Sequence, residues 1–495
     1  MNAVADAAAA TPPAGDTPQL GRALTRGLGW VALLRWGAQG VSWLGTLAVI
    51  RALSPADYGA AGMALAYLNL VRMVADVGFG GALVALPALD EREARGAQSL
   101  STLIGVTASL LSLGLAGPIA AFFGDPGVVR LIRIIALVPL VESLTLVPAA
   151  LLSRQLRYRA GAVAEAVRTI VGIGLSVALA LAGMGALCII LGHLAGAAAF
   201  ALVVASVQRP AFGPIGGVGR RIVGFGGDLL VSRFAYMTYV TAPSVVAGRM
   251  GGSAVLGVYN VALTFAALPA EKLTQVLAVV APPIFARAAQ QGGAELGKFY
   301  LGLTRALSLV LVPLLWGLAA TAVDAVPVLA GPRWHEAIPV VVILALHQSV
   351  SSAMFLAAHA VVASGDARSA RNQSLLAVGV LVPLFVLGAS RWGAIGLAAA
   401  WLVAQPLLQL RLVGMALRHA GRTAGDYLRA VAPAYVGSLV MVGAVLGLRL
   451  LPWGTGAAVP ALRLAADVVI GAATYASVLR FGFGVRPKDV LAALH

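Results

Sequence analysis

Charged residues, cysteines and lysines are all scarce in this chain of 495 residues. Only 11% of the residues are charged and 60% are hydrophobic, which excludes an ordinary soluble globular protein. The single cysteine, Cys188, excludes an intrachain disulfide and any cluster of thiolate metal ligands. With only three lysines, the net charge of +16 is carried by arginine. In so apolar a chain this balance is typical of the positive-inside bias of membrane proteins, and we expect no nucleic-acid partner.

Enzyme motifs are missing as well. Gly297-Lys298 is followed by Phe299, so it does not form the Gly-Lys-Ser/Thr end of a Walker nucleotide site. The sequence also contains no Ser-His-Asp, zinc or Cys-His constellation and no large loop with paired acids. We therefore expect no catalytic residues, no metal and no resident cofactor.

Hydrophobic stretches long enough to cross a bilayer fill most of the chain. A membrane helix needs about 20 apolar residues, and Gly, Pro and charge clusters mark the breaks between such helices. These criteria predict an all-α integral membrane protein with about fourteen transmembrane helices. The predicted spans are 28–50, 58–86, 98–122, 128–152, 162–183, 184–206, 223–248, 257–281, 300–323, 336–362, 374–391, 393–417, 430–451 and 457–479.

An internal repeat divides these spans into two lobes. A constant offset of 198 residues relates three pairs of residues: Arg35 and Arg233, Arg51 and Arg249, Gly59 and Gly257. An even number of spans separates the copies, so the lobes keep one orientation and should be related by a two-fold axis along the membrane normal. The predicted parts are a disordered tail 1–27, an N-lobe 28–206 of six helices, a linker 207–222, a C-lobe 223–417 of six helices, two further helices in 430–479 and a tail 480–495.

Arginine clusters set the predicted orientation. Two clusters of three arginines fall between spans on one side of the membrane, one at positions 154, 157 and 159 and the other at positions 209, 220 and 221. The positive-inside rule places that side in the cytoplasm. Both termini and both tails are therefore predicted to be cytoplasmic, and the basic loops can contact anionic membrane lipids.

Several charges lie inside the spans, where each costs about 2.5–3.5 kcal/mol on the insertion scale. Arg72 and Asp76 are four residues apart and share a helix face. They form either a cavity pair that holds an anion or changes partner during transport, or a buried pair that fixes helix packing. Arg35 is within reach of the interface by snorkelling, whereas Arg233 is deeper in its span.

Three further charges occupy mid-span positions. Glu271 and its neighbour Lys272 point in different directions, and Lys272 is the predicted anion contact. Glu142 is a candidate proton or cation site, or a packed protonated carboxyl. Snorkelling explains the charged residues nearer the cytoplasmic ends, which are Asp228, Glu165, Arg168 and Arg305. Hydrogen bonds between helices explain the two mid-span histidines, His193 and His347.

The deep charges are mainly cationic. Guanidinium groups match phosphate oxygens with two parallel hydrogen bonds. The predicted anion-binding residues are Arg35, Arg72, Arg233 and Lys272, and the candidate ion-coupling residues are Asp76, Glu142 and Glu271. A net positive cavity of this kind favours an anionic, phosphorylated substrate.

Three stretches resemble the Wzx-type polysaccharide flippases of the multidrug/oligosaccharidyl-lipid/polysaccharide exporter superfamily. They are Arg51-Ala-Leu-Ser-Pro-Ala-Asp-Tyr-Gly59, Ala75-Asp-Val-Gly-Phe79 and Leu151-Leu-Ser-Arg-Gln-Leu-Arg-Tyr-Arg159. The resemblance implies a transporter of the bacterial inner membrane that flips undecaprenyl-pyrophosphate-linked oligosaccharide by alternating access. The four cationic residues above would hold the diphosphate.

The resemblance also implies a role in polysaccharide biosynthesis and export, coupling to an H+ or Na+ gradient, and contact with polysaccharide polymerase or assembly proteins. Two alternatives remain open at this point. A multidrug or cation antiporter of the same superfamily would prefer an acidic cavity. A non-catalytic scaffold of a polysaccharide-assembly complex would use the basic cytoplasmic loops, and its buried charges would serve only packing.

Overall fold

The computed structural model describes residues 37–75, 90–155, 157–215, 227–453, 456 and 459–485. Within these ranges the chain is built from helices and short connections, without β-strands. Ten of the described helices or helix pairs are long and apolar enough to cross a membrane. The predicted all-α membrane fold is therefore confirmed, whereas the count of fourteen spans stays a prediction.

The first half of the chain forms seven described helices. Between α4 and α5 the helix is interrupted near residues 136–137, within one predicted span. Residues 209–215, in the predicted linker, have no regular secondary structure. The helices are α1 (37–52), α2 (Pro55–Ala75), α3 (Glu91–Phe123), α4 (Val128–Ile135), α5 (Val138–Arg154), α6 (Tyr158–Leu181) and α7 (Leu187–Val207).

The second half continues with longer helices. Two of them contain a glycine with non-helical dihedral angles, Gly252 in α8 and Gly393 in α12, so each is a pair of helices joined end to end. Gly252 lies in the connection predicted between spans 223–248 and 257–281, and Gly393 is the first residue of the predicted span 393–417. The helices are α8 (Gly227–Gln291), α9 (Gly293–Leu329), α10 (Ala337–Met354), α11 (Leu356–Ala363), α12 (Ala367–His419), α13 (Ala424–Leu448) and α14 (Val459–Ser477).

Local sequence explains where several helices begin and end. Asp90 and Glu93 form a capping box at the start of α3, and Thr423 and Asp426 form one at the start of α13. These side chains satisfy backbone N–H groups that have no partner within the helix. Gly124 ends α3 in the left-handed region, at φ 71°, where glycine carries no Cβ penalty.

The two lobes meet where α2 crosses α8, at the matched glycines of the repeat. A Cβ on Gly59 would lie 1.6 Å from the carbonyl oxygen of Ser253, and one on Gly257 would lie 1.9 Å from that of Pro55. Pro55 and Ser253 are themselves related by the repeat offset of 198 residues. The contact is therefore reciprocal, as a two-fold axis passing between the helices requires.

Side chains reinforce this end of the interface. Arg51 donates to the carbonyl of Val328 at 3.1 Å, and Trp334 donates from its indole N–H to the carbonyl of Ile50 at 2.9 Å. Arg249, the counterpart of Arg51, lies 5.6 Å from the ring centre of Phe122 at the end of α3. Each matched arginine thus contacts the opposite lobe, and both help to hold this end of the molecule closed.

The hydrophobic core follows the same division. The largest buried cluster draws residues from both lobes near this closed end, among them Met63, Ile132 and Tyr259. Toward the other end the core separates into a C-lobe cluster around Phe285 and a small N-lobe cluster around Leu152. The lobes are therefore joined by common packing at the end that carries Gly59 and Gly257.

Two buried aspartates attach α13 and α14 to the C-lobe. Arg449, just after α13, contacts Asp324 of α9 at 3.1 Å and Asp467 of α14 at 3.5 Å. Arg463 contacts Asp324 through two nitrogens, with its Nε at 3.0 Å. Both aspartates are 1% exposed. Because a buried carboxylate needs compensating partners, these ion pairs fix the two C-terminal helices against α9.

Candidate functional site

Three of the predicted site residues have described side chains: Arg72, Glu142 and Glu271. Arg35 and Asp76 lie outside the described residues. The positions of Arg233 and Lys272 belong to α8, but their side chains also lie outside the described part of the structure. The roles assigned to these four residues stay predictions.

Arg72 and Glu142 form the centre of a charge cluster, which consists of Arg72, Glu142, Arg168 and His193. Arg72 donates to both carboxylate oxygens of Glu142, with Nε at 2.9 Å from Oε2. Arg168 approaches the same carboxylate, with Nη2 at 3.6 Å from Oε1. The Nε2 of His193 lies 3.0 Å from Nη2 of Arg72. Four helices, α2, α5, α6 and α7, each contribute one member.

Small residues bring the helices of the cluster together. A Cβ on Gly192 would lie 2.6 Å from the carbonyl oxygen of Gly172, and one on Gly196 would lie 2.9 Å from that of Arg168. Backbones can approach this closely only without side chains, which is a common way of packing membrane helices. The close contact of α6 and α7 places Arg168 and His193 on the same side of the N-lobe.

Two cavities adjoin the cluster. One of about 390 Å³ is lined by Arg72, Glu142 and Arg168 together with the hydroxyls of Ser101 and Thr145. A second, of about 350 Å³, is lined by Arg168 and His193 and by hydroxyls of α1 and α6. Arg168 therefore lines both cavities. The side chains of Arg72, Glu142 and Arg168 are 29%, 29% and 31% exposed, so the charges are accessible from this space.

The composition of the cluster decides its chemistry. Two guanidinium groups share the carboxylate of Glu142, and Nη1 of Arg168 also lies 4.0 Å from a carboxylate oxygen of the exposed Glu165. Low dielectric strengthens the attraction of the guanidinium groups for an anion. A phosphate can take the place of a carboxylate at a guanidinium, because two oxygens of either group can accept the two parallel N–H donors of the planar guanidinium. The arrangement can therefore hold Glu142 or exchange it for a bound anion.

Glu271 lies apart from this cluster. Its side chain is exposed and accepts a hydrogen bond of 2.8 Å from Gln275, one turn along the same helix. The described contacts therefore connect Glu271 to its own helix and leave its coupling role a prediction.

Sequence reasoning missed one member of the cluster, Arg168, which snorkelling from the cytoplasmic end of its helix explains although its guanidinium faces Glu142. The predicted interhelical hydrogen bond of His193 is confirmed, and its described partner is the Arg72 guanidinium. The available signal was the glycine spacing of α6 and α7, at 172, 192 and 196, which indicates a close helix pair.

Comparison with known proteins places these observations in a family. The model of a family described as "Polysaccharide biosynthesis protein" matches residues 48–339. The succinoglycan biosynthesis transport protein ExoT of Rhizobium meliloti (strain 1021) is 26% identical over 325 residues, which cover 63% of this chain and 64% of that protein. The match thus spans slightly less than two thirds of that relative. The lipopolysaccharide biosynthesis protein WzxC of Escherichia coli (strain K12) is 21% identical over 384 residues, 77% of this chain and 78% of that protein.

A solved structure shares the whole architecture. The lipid II flippase MurJ, in an inward closed conformation, superimposes with a TM-score of 0.74 and covers 92% of this chain and 100% of that one. The sequence identity is 13%, so this likeness concerns the fold. The arrangement of helices described above is therefore that of a known transporter fold.

Proposed function

The chain belongs to this polysaccharide biosynthesis family, which confirms the resemblance to Wzx-type flippases, and from that premise we propose that it flips a lipid-linked oligosaccharide. The substrate is undecaprenyl pyrophosphate carrying a glycan, and the chain moves it across the bacterial inner membrane for polysaccharide biosynthesis and export. The observation that carries the proposal is the charge cluster, an accessible pair of guanidiniums deep in the N-lobe.

The diphosphate is the part of the substrate that the charge cluster fits. Arg72 already presents two donors in parallel to Glu142, which is the geometry that a phosphate accepts. Arg168 supplies a second guanidinium on the same carboxylate. Arg35, Arg233 and Lys272 are the further cationic positions that we assign to the diphosphate, from the sequence repeat and their depth in the spans.

Alternating access follows from the way the lobes are joined. The shared packing at Gly59 and Gly257 supports a state closed at one end, in which substrate enters from the other. With both termini in the cytoplasm, as the arginine clusters indicate, the closed end faces outward and the entrance faces the inner leaflet. Rocking of the lobes about the α2–α8 crossing would then open the outer end.

We propose that Glu142 couples the movement of an ion to this cycle. When Glu142 is ionised it occupies donors of Arg72 and Arg168, and it competes with the diphosphate for them. A proton on Glu142, or Na+ bound beside it, would release both guanidiniums for substrate. A membrane potential of 100 mV supplies about 2.3 kcal/mol per charge moved, which suits such a step. Asp76 and Glu271 are the other candidate coupling residues.

The test is export by variants that reach the membrane in normal amounts. Arg72→Gln and Arg233→Gln should each reduce surface polysaccharide severely and cause the lipid-linked precursor to accumulate. Arg130→Gln is the matched control, because Arg130 is exposed on α4 and lies outside both the charge cluster and the basic cytoplasmic loops. Normal export by both of the first two variants would exclude the proposed anion cavity.

The same experiment separates the alternatives. A multidrug or cation antiporter would keep polysaccharide export and lose drug resistance in these variants, although two guanidiniums that line one cavity disfavour a cationic substrate. A scaffold would lose export only through lower abundance, or through loss of binding to polysaccharide polymerase or assembly proteins. Those proteins are the partners that we propose for the basic cytoplasmic loops.

A further inference from the structure

The C-lobe contains its own cavity, of about 640 Å³, between α8, α10, α11 and α12. We call it the C-lobe cavity. Its wall includes Tyr239, His347, Gln405 and Gln409. The volume falls in the range of pockets that take small organic ligands, about 300–1,000 Å³. None of the residues used so far to explain diphosphate binding lines this cavity.

The described lining of the C-lobe cavity carries no formal charge. Among the described residues that form its wall there is no Asp, Glu, Lys or Arg. The repeat offset pairs Arg72 of the N-lobe with Ala270, so the C-lobe also lacks a guanidinium at the matched position. Among these described residues a phosphate would find no cationic partner, and a metal cation would find no carboxylate. The ligand that fits such a wall is polar and uncharged.

Unsatisfied hydrogen-bonding atoms point to the same kind of ligand. Nδ1 of His347 and the amide oxygens of Gln373 and Gln409 are buried without a hydrogen-bond partner. Gln373 is held in place because its amide nitrogen donates to the carbonyl of Leu408 at 2.6 Å. A buried polar atom without a partner costs free energy. Hydroxyl groups, which both donate and accept, would satisfy these atoms.

Aromatic rings complete the wall and are fixed against one another. The indole N–H of Trp401 donates to the hydroxyl of Tyr259 at 2.9 Å. The Trp401 ring lies 5.3 Å from that of His347 and 6.1 Å from that of Tyr239, measured between ring centres. Rigid aromatic faces beside amide and hydroxyl groups suit a ring with an apolar face and a polar edge. A sugar ring has both.

We propose that the C-lobe cavity binds neutral sugar rings of the glycan, while the N-lobe charge cluster, together with the further cationic positions assigned above, binds the diphosphate. This inference rests on the proposed function, because it assigns the two ends of one lipid-linked substrate to different sites. The division explains why the two lobes, although related by a repeat, differ in their polar residues. It also makes Gln409 and Gln405 specificity residues for the glycan.

The test compares two probes on purified full-length protein. One is undecaprenyl diphosphate without sugar. The other is the lipid-linked oligosaccharide pool extracted from the native host after deletion of this gene. Gln409→Met and Gln405→Met keep the length of the side chain and remove its amide. Each should weaken binding of the glycan-bearing pool about tenfold and leave the Kd of undecaprenyl diphosphate unchanged, since one or two lost hydrogen bonds have an effect of this size.

Controls separate this proposal from the one on which it rests. Gln290→Met removes an exposed amide of α8 outside the cavity, and it should bind both probes as the unaltered protein does. Arg72→Gln should weaken both probes alike. If the unaltered protein binds neither probe, the proposed function fails. If Arg72→Gln weakens both probes while Gln409→Met and Gln405→Met, with unaltered thermal stability, weaken neither, the sugar site alone is refuted.

Discussion

The crossing of α2 and α8 allows the sharpest prediction about the transport cycle. Gly59→Ala places a Cβ 1.6 Å from the carbonyl oxygen of Ser253, whereas real Cβ contacts essentially never fall below 3.0 Å. The two backbones must therefore part by about 1.4 Å at this point. Overpacking of this kind costs about 1–3 kcal/mol. It changes the ratio of closed to open molecules about 5- to 150-fold in favour of the open form.

Pulsed electron paramagnetic resonance can measure this shift. Nitroxide labels at positions 126 and 335 would report the separation of the lobes at the closed end, because both residues are exposed there and belong to different lobes. The native Cys188, which is buried, is first replaced by Ala. In Gly59→Ala the distance distribution should move to longer values, and polysaccharide export should fall because one state of the cycle is disfavoured.

The repeat supplies a second variant and the structure supplies a control. Gly257→Ala should produce the same shift, since its Cβ would lie 1.9 Å from the carbonyl oxygen of Pro55. Gly114→Ala adds the same methyl group in α3, where nothing lies within 4 Å, and should change neither distance nor export. An unchanged distance distribution in both Gly59→Ala and Gly257→Ala would refute the reciprocal contact as the closure of this end.

Two further predictions concern stability. Asp324→Ala should lower the free energy of unfolding by about 3–5 kcal/mol, because it removes the carboxylate that Arg449 and Arg463 share and leaves Arg449 with Asp467 alone. Thermal unfolding in detergent measures this, and a melting temperature equal to that of the unaltered protein would contradict it. Hydrogen bonds from the side chain and backbone of Ser369 lower the pKa of Asp366, which precedes α12. Its stabilising effect is therefore present above the ordinary pKa of 3.8 and is lost as the pH falls through the lowered value, so Asp366→Ala should be less stable than the unaltered protein at pH 7 and equally stable in strong acid. A stability difference that persists in strong acid would argue against this cap.

Much of the architecture could be predicted from sequence because it depends on local or periodic features. Runs of apolar residues locate the helices, since each backbone group in a bilayer must be satisfied within its own segment. Gly252 lies between two predicted spans and Gly393 at the start of one, and both break a helix. The offset of 198 residues pairs Gly59 with Gly257, and these are the residues that touch.

The candidate site was predictable only in part. Depth within a span identified Arg72 and Glu142 as residues that need partners, because charge is costly in a bilayer. The sequence suggests Asp76, one helical turn away, as the partner of Arg72. The described partner of Arg72 is instead Glu142, 70 positions along the chain. Depth also assigned Arg168 to the membrane surface. A guanidinium at the end of a long side chain can reach inward or outward, and hydropathy does not distinguish these directions.

The sequence by itself therefore determined that this protein is a membrane protein, that it is built on a repeat, and which charges are out of place. The tertiary structure alone decided which of those charges meet. The pairing of charges between α2, α5, α6 and α7 depends on the crossing angles and contacts of the packed helices. The hydrophobic periodicity of a single span does not determine those angles and contacts. The C-lobe cavity is likewise a product of packing, because Tyr239 comes from α8 and Gln373 and Gln409 come from the two halves of α12.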